Sequence, residues 1–498
     1  MSFTIDYKPA YMNSIVGQDL IFSVLSSQAL NPLLYKYKYF VHIFEGDIGI
    51  GTNLVATLKF SCNTDGYGIV NIRSVMEAYC SPDYLGSTQI INTITYSSEF
   101  KGVAYERYIT PHPIHIIDKF CLNVNTTRNY LVMLGEEYTS TPNGVPVQSI
   151  MALSQAGLVF NGISSEHEQK RVNPGDYGVD LSEWNISLNP LETQGEGYIA
   201  YLGSGQQKFL TTSHVNVSLS SSNMVYQYLS ENDYHTVAFT SGVWEGYANN
   251  ATYIKVVVYD ASDTQIDTFS SDMIPANGGY DGSGDTVMTN CQLQLQYFGC
   301  GPANFKGSGV TWLSTWNTYK ITLYNSGGSP VGTPYRFKRK DADCKGFETV
   351  RLTWLNKFGA WDYFSFTKKN KQSTKIKRAE LQYNVGVWDS RGYSKSGYER
   401  GRAVLNTAAT ESIKCISDWF TSDIEAAWIE ELFISNDVYI LGKYDPLDSA
   451  AFGADYGRYL TPVIVTSKKY EKYTQANDKL AQYEVDISYA HNKAVQKA

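Results

Sequence analysis

His112-Pro113-Ile114-His115 sets two imidazoles three residues apart, a spacing that would offer both to one metal ion if the segment were helical. Pro113 breaks such a helix, and no carboxylate cluster stands at a metal-ligand spacing from the pair, so a surface turn is the expectation. Glu166-His167-Glu168 holds an acid-base group between two carboxylates, a combination that raises a histidine pKa and suits a switch or general base. Without a partner nucleophile in this polar stretch, it reads as exposed loop. Asp281-Gly282-Ser283-Gly284-Asp285 presents oxygens at alternate positions as a calcium loop does. Thr286 stands where the turn glycine belongs, however, and Gln292 replaces the closing bidentate glutamate. A flexible loop is the stronger reading, with loosely held calcium the weaker one. Gly46, Gly49 and Gly51 lie between two strands instead of between a strand and a helix, which denies them a phosphate-cradling role. The seven cysteines, Cys62, Cys80, Cys121, Cys291, Cys300, Cys344 and Cys415, are scattered and never spaced Cys-x-x-Cys, so they predict reduced and mostly buried thiols. No constellation supports catalysis, and the sequence predicts a non-enzymatic protein with no cofactor and no metal.

The elements around these residues are strands. Residues 35–60 alternate Tyr-Lys-Tyr-Lys-Tyr-Phe-Val-His-Ile-Phe, pass a Gly/Asp tip and return through Leu-Val-Ala-Thr-Leu-Lys-Phe, the pattern of a hairpin. The same plan recurs at 253–269 around the turn Asp260 to Asp263, and at 319–337 around Asn325-Ser326-Gly327-Gly328. Helical spacing is confined to 71–80, where Pro82 forbids continuation, and to 423–434. In the latter, Ser422 and Glu425 form a capping box, Ile424, Trp428, Ile429, Leu432 and Phe433 make one stripe, and a strand Val438 to Leu441 follows. The expected fold class is mainly β: several tandem β-sandwich domains, immunoglobulin-like or fibronectin-like, with one or two short helices near the C-terminus. Length predicts roughly three to four domains. Composition breaks place them at 1–130 (N-terminal β), 131–300 (variable, β-rich), 301–400 (a sandwich with a basic surface) and 401–498 (α+β).

Thirty-nine tyrosines, with 21 phenylalanines and 9 tryptophans, suit half-buried strand faces and surfaces that meet partners. A net charge of −8 argues against a general nucleic-acid binder, but it is unevenly spread. Residues 1–335 carry 15 basic against 28 acidic side chains, 336–402 carry 17 against 7, and 403–498 carry 9 against 14. The ordinary account of the basic block is a solvated strand surface; the sharper one is a subunit contact against an acidic neighbour. Its interface candidates are Arg339, Lys340, Lys368, Lys369, Lys371 and Arg378, with the aromatic residues Trp361 and Tyr363, although core packing is the ordinary reading for Trp354, Trp361, Tyr363 and Phe366. The start of the chain shows no basic-then-apolar leader, and no stretch approaches the length of about 18 apolar residues that a membrane span needs. The expectation is a protein folded in a cytoplasm, with no membrane partner. Asn-x-Ser/Thr triplets at Asn125, Asn185, Asn216 and Asn250 carry little meaning in that setting.

The segment Arg351-Leu352-Thr353-Trp354-Leu355-Asn356-Lys357-Phe358-Gly359-Ala360-Trp361-Asp362-Tyr363-Phe364-Ser365-Phe366 runs strand, Asn-x-x-Gly turn, aromatic strand. It resembles virion structural proteins of tailed bacteriophages, of the Bacteroidota-infecting or environmental type. Tyr7 to Ala29, with Tyr-x-Pro-Ala-Tyr-x-x-x-Ile, and Tyr459 to Tyr489 fit the same resemblance, which covers less than half of the chain. The resemblance implies a tail, baseplate or appendage component, assembled in a host cytoplasm into a homo-oligomer and partnered by other virion proteins. Two rival expectations follow. One is a receptor-binding adhesin whose aromatic surfaces stack on host glycan or contact a surface protein. The other is a glycan-degrading appendage enzyme, which would need two carboxylates at a set separation, and no such pair stands out among 49 acids.

Overall fold

The computed structural model describes residues 3–9, 13–45, 53–80, 127–164, 170–173, 176–178, 209–213, 227–242, 253–272, 293–302, 314–325, 327–330, 333–340, 348–399, 401–420, 423–442, 460–470 and 482–493. The fold is mainly β, with strands gathered into several sheets and two short helices among the described residues. The chain divides into two compact units: Met1–Asp341 with Leu355–Asp362 and Lys443–Gly457, and Ala342–Trp354 with Tyr363–Gly442 and Arg458–Ala498. The first unit runs through the positions 130 and 300 where composition breaks suggested boundaries, and the second runs through 400. No helix among the described residues is long and apolar enough to cross a membrane.

The first unit opens with β1 (Phe3–Pro9), β2 (Asn13–Ile15), β3 (Ile21–Ser26), β4 (Tyr35–Glu45), β5 (Asn53–Phe60) and β6 (Tyr67–Asn71), followed by helix α1 (Arg73–Tyr79). Then come β7 (Thr127–Thr139), β8 (Val147–Phe160), β9 (Lys170–Asn173) and β10 (Asp176–Gly178). They form two five-stranded sheets, β6-β3-β1-β10-β9 and β2-β8-β7-β4-β5. The strand period of two sends Phe22 and Val24, Tyr39, Val41 and Ile43, and Tyr130, Val132 and Leu134 into one shared core, so the sheets close as a sandwich. The expected hairpin of 35–60 is the antiparallel pair β4–β5, and α1 lies within the expected 71–80. Tyr39, fully buried, satisfies its hydroxyl by donating to the Gly66 carbonyl (2.6 Å) and accepting from the Ser26 amide (2.9 Å). A Cβ at Gly68 would lie 2.3 Å from the Tyr39 ring, so only glycine lets β6 pass so close.

At the edge of this sandwich Glu137 accepts from Lys59 (2.6 Å) and from Gln148 (3.1 Å). Burial alone raises the Glu137 carboxyl, but these hydrogen bonds and the Lys59 charge outweigh it and hold the group below its ordinary value.

Further along the first unit lie β11 (Gln227–Leu229), β12 (Thr236–Gly242), β13 (Tyr253–Tyr259), β14 (Gln265–Asp272), β15 (Leu293–Gly299), β16 (Thr318–Tyr324) and β17 (Tyr335–Arg339). They build a five-stranded sheet, β11-β17-β16-β13-β14, and a two-stranded one, β12-β15. Both expected hairpins are present, as β13–β14 and β16–β17. Tyr335 and Phe337 pack against His235, which precedes β12, and the Tyr319 hydroxyl donates to the Cys300 carbonyl (2.6 Å) just after β15. Aromatic packing and one hydrogen bond thus join the two layers.

The second unit holds most of β18 (Val350–Leu355) and β19 (Trp361–Phe366), whose facing ends at Leu355 and at Trp361 and Asp362 are grouped with the first. It also holds β20 (Lys371–Gln382), β21 (Val387–Asp389), β22 (Gly392–Ser394), β23 (Arg402–Ile416), helix α2 (Asp423–Ile434), β24 (Val438–Leu441), β25 (Leu460–Val465) and β26 (Glu484–Tyr489). Its sheet has seven strands, β19-β18-β24-β25-β26-β23-β20. Helix α2 has the bounds expected from the sequence and covers the sheet through Trp428, Ile429 and Leu432, with Trp428 set 5.6 Å from Trp354 between ring centroids. Cys415 is buried in this core, and burial, reinforced by Asp486, pushes its thiol up to about 12. Among the described residues Cys80 and Cys300 are also buried and Cys62 is half-buried, all four as free thiols.

The Asn-x-x-Gly turn between β18 and β19 is grouped with the first unit, where Phe358 and Ala360 share a core with Ile15, Phe160, Leu210 and Ala238. Asn356 organises it: its amide nitrogen donates to the Leu210 carbonyl (2.8 Å) and to Asp362 (3.0 Å), while its amide oxygen accepts from the amides of Phe358 (2.9 Å) and Ala360 (3.0 Å). Thr211 donates to the same Asp362 carboxylate (3.0 Å). Gly359 has φ +73, and a Cβ there would lie 1.5 Å from the Asn161 carbonyl oxygen.

Asn356→Ala removes four buried hydrogen bonds and Gly359→Ala forces both strain and overlap, so each is expected to destabilise the first unit by about 2–4 kcal/mol. Denaturant unfolding of the full chain checks this, and an unchanged midpoint for either variant contradicts the account. The depressed Glu137 carboxyl contributes stability above its ordinary pKa of 4.5, which is lost as pH falls through its lower folded value. Glu137→Gln should therefore be less stable than wild type at pH 7 and should lose less of its stability on acidification from pH 5 to 3, as read from urea midpoints.

Candidate functional site

Strand β20 is the edge of the seven-stranded sheet, and all twelve of its residues are exposed. Its partner β23 pairs with β26 only over Ser412 to Ile416, and Ala409 makes one further bridge to Lys493. Past that point, among the described residues, Arg402 to Ala408 has β20 alone as a neighbour, so the two strands leave the sheet as a two-stranded arm. A ribbon of this kind has little stability of its own. Here it is anchored at its base, where Ile413 and Cys415 enter the core.

The two faces of the arm differ because strand residues alternate. One face of β20 carries Lys371, Ser373, Lys375 and Lys377 opposite Lys414, Ser412, Thr410 and Ala408. Lys371 and Lys414 are like charges set directly opposite, a costly arrangement that the ion pair of Lys414 with Glu484 relieves. The other face carries Thr374, Ile376 and Arg378, with Ile376 half exposed. A bulge between Ala379 and Glu380 bends the ribbon before its tip.

At the tip, β21 and β22 form a miniature hairpin with a two-residue turn, and Trp388 stands directly opposite Tyr393 with ring centroids 4.5 Å apart. Trp388 is 75% exposed and Tyr398 86%, with Val387, Tyr383 and Tyr393 also exposed. Glu399 pins this hairpin: its carboxylate accepts from the amides of Gly386 and of Ser396, the latter at 3.1 Å. Covering a tryptophan or tyrosine of this kind stabilises by roughly 1.5–3 kcal/mol, which makes the tip the strongest adhesive patch of the arm.

The residues singled out from the sequence divide between partnered and exposed. Arg339 donates to the Ser314 carbonyl (2.9 Å) and lies 3.8 Å from Glu231, Lys340 stands 6.0 Å from the Tyr228 ring centroid, and Lys368 pairs with Asp418 at 2.8 Å. Lys369, Lys371 and Arg378 are exposed, the last two on β20. Trp361 is half-buried against the core around Phe358. Tyr363 must be withdrawn from the surface candidates: it is fully buried, with the Arg351 guanidinium 5.3 Å from its ring centroid, on a strand none of whose six residues is exposed. Trp354 and Phe366 are core, as ordinary packing predicts.

The tip aromatic residues are not among the candidates that residue types and spacing single out. Their signal was Trp388 and Tyr393 flanking the turn run Asp389-Ser390-Arg391-Gly392, beside a strand too polar on both faces to be buried.

His112 and His115, Glu166 to Glu168, Gly46 to Gly51 and Asp281 to Asp285 lie outside the described residues. Among the described residues, no group of three or more His, Cys, Asp or Glu is placed to hold a metal ion.

No protein-family model and no curated protein matches the chain. Solved structures similar over part of their length include trypsin-activated alpha-2-macroglobulin from Escherichia coli, at 8% identity over 84% of this chain and 22% of that one, with a TM-score of 0.15. Salmonella alpha-2-macroglobulin reacted with methylamine gives 7% identity over 83% and 25%, with a TM-score of 0.16. The Bacillus anthracis TIE protein gives 7% over 82% and 68%, with a TM-score of 0.11. The chain thus spans about a quarter of the macroglobulin chains' length.

Glu399→Ala should release the tip without touching the core of the second unit. Hydrogen exchange is expected to speed up at the Gly386 and Ser396 amides while protection across β18, β24 and β25 stays at wild-type level; equal protection at the tip would show that Glu399 does not hold it.

Proposed function

We propose that the chain is a non-enzymatic structural component of a phage virion, in the tail, baseplate or an attached appendage, and that it works by assembling with copies of itself and with neighbouring virion proteins. The observation that carries the assembly part is the arm: a two-stranded ribbon with both faces in solvent and Trp388, Tyr393 and Tyr398 at its tip. Exposed apolar patches of this kind belong to surfaces that are covered in use. The virion part is supported by the resemblance of residues 351–366 to tailed-phage structural proteins, and the tandem sandwiches and free thiols agree with it.

Charge supports self-association. Residues 371–402 carry eight Lys or Arg against three Asp or Glu, while the rest of the chain carries 33 against 46. An arm of one sign beside a body of the other gives contacts that attract at a distance and weaken when salt screens them.

Mass photometry of the full chain at low and high salt tests the reading. A discrete oligomer that dissociates as salt rises is the expected result. A monomer at every concentration and ionic strength contradicts self-assembly, and binding of that monomer to host cells or glycans through Trp388 would instead establish the receptor-binding alternative.

A further inference from the structure

We infer that the outer strand of the arm, β20, adds as an extra strand to the open edge of β14 in a second copy of this chain. The inference rests on the self-assembly reading and names the surface that receives the arm.

A strand at the edge of a sheet presents a row of amides and carbonyls that a further strand can satisfy. Among the described strands β20 ends one sheet and β14 ends another. β20 carries Lys371, Lys375, Lys377 and Arg378 against the single acid Glu380. β14 carries Asp267 and Asp272, the turn that leads into it carries Asp260 and Asp263, and residues 260–272 hold no Lys or Arg. Each edge therefore repels its own kind and attracts the other, which disfavours arm-to-arm pairing and favours arm-to-β14 pairing.

Other edges fit less well. β9 is itself basic, β2, β6 and β11 are short and uncharged, and β5 bears only Lys59. The pair β12–β15 has no charged residue, and the one acid of β19, Asp362, is buried with Asn356 and Thr211. β14 is the acidic edge of the set, and at eight residues it is long enough to register several rungs with the twelve of β20. Aliphatic side chains also stand exposed on both strands, Ile266 on β14 and Ile376 and Leu381 on β20, which the added rungs would cover.

A charge swap in the full chain tests this, with dissociation followed by mass photometry. Lys375→Glu with Lys377→Glu, and separately Gln265→Lys with Asp267→Lys, should each weaken the oligomer about tenfold or more, and the chain carrying all four changes should return to within about threefold of wild type. All four positions are on exposed or half-exposed edges, and matched thermal midpoints confirm that each variant folds. A photo-crosslinking residue in place of Ile376 provides a second readout, expected to join one copy to residues 260–272 of another. An oligomer that the β14 changes leave intact, a four-fold variant that does not recover, or a crosslink mapping elsewhere overturns β14 as the acceptor while the assembly reading stands. A wild-type chain that never associates overturns both.

Discussion

A strand can hide its side chains in a core, but its outer row of amides and carbonyls stays open until something pairs with it. In a fold that is mainly β that constraint recurs at the sides of its sheets, and much of the described structure is an answer to it. In the N-terminal sandwich the first stretch of chain serves both layers: β1 pairs with β3 and β10 in one sheet, and β2 pairs with β8 in the other. In the second unit the same problem is met with charge, since β20 keeps its edge open and lines it with lysine and arginine. Lysine on an open edge costs little in water and discourages indiscriminate pairing, while the backbone groups of that edge stay unpaired among the described strands.

Buried polar groups do the complementary work inside. Tyr39 reaches across its sandwich to two backbone groups, Tyr319 links the layers of the next, and Asn356 fills both of its amide's roles within a single turn. Each is a directional contact in an otherwise non-directional apolar setting, and such contacts select one register among those that hydrophobic burial alone would tolerate. The glycines that matter, Gly68 and Gly359, stand beside two of these groups because close approach is what the hydrogen bonds demand.

Strand alternation made most of the elements legible. The hairpins at 35–60, 253–269 and 319–337 and the helix 423–434 follow from periodicity and turn residues, and all are present. What periodicity does not contain is the partner of a face. Tyr363 and Trp388 are both aromatic residues in short strands, yet one is sealed beneath Arg351 and the other stands in solvent, a difference set by which strands flank them in space. The basic block was visible as composition, but its division into partnered residues such as Lys368 and an exposed row on β20 depends on pairings between residues far apart in sequence, such as Lys368 with Asp418 and Lys371 with Lys414. For the same reason the arm was invisible: a strand polar on both faces looks like a loop until its neighbour is known.

Arm and acidic edge occupy different sheets of one chain, and a contact between unlike surfaces has a direction that a two-fold contact lacks. Copies joined in this way form a row with polarity: one terminus offers only an unused arm and the other only an unused acidic strand. Such a row stops growing when its rotation per copy closes a ring, or when a different protein caps a terminus. The number of subunits is then a property of an angle, encoded nowhere in the strength of the individual contact.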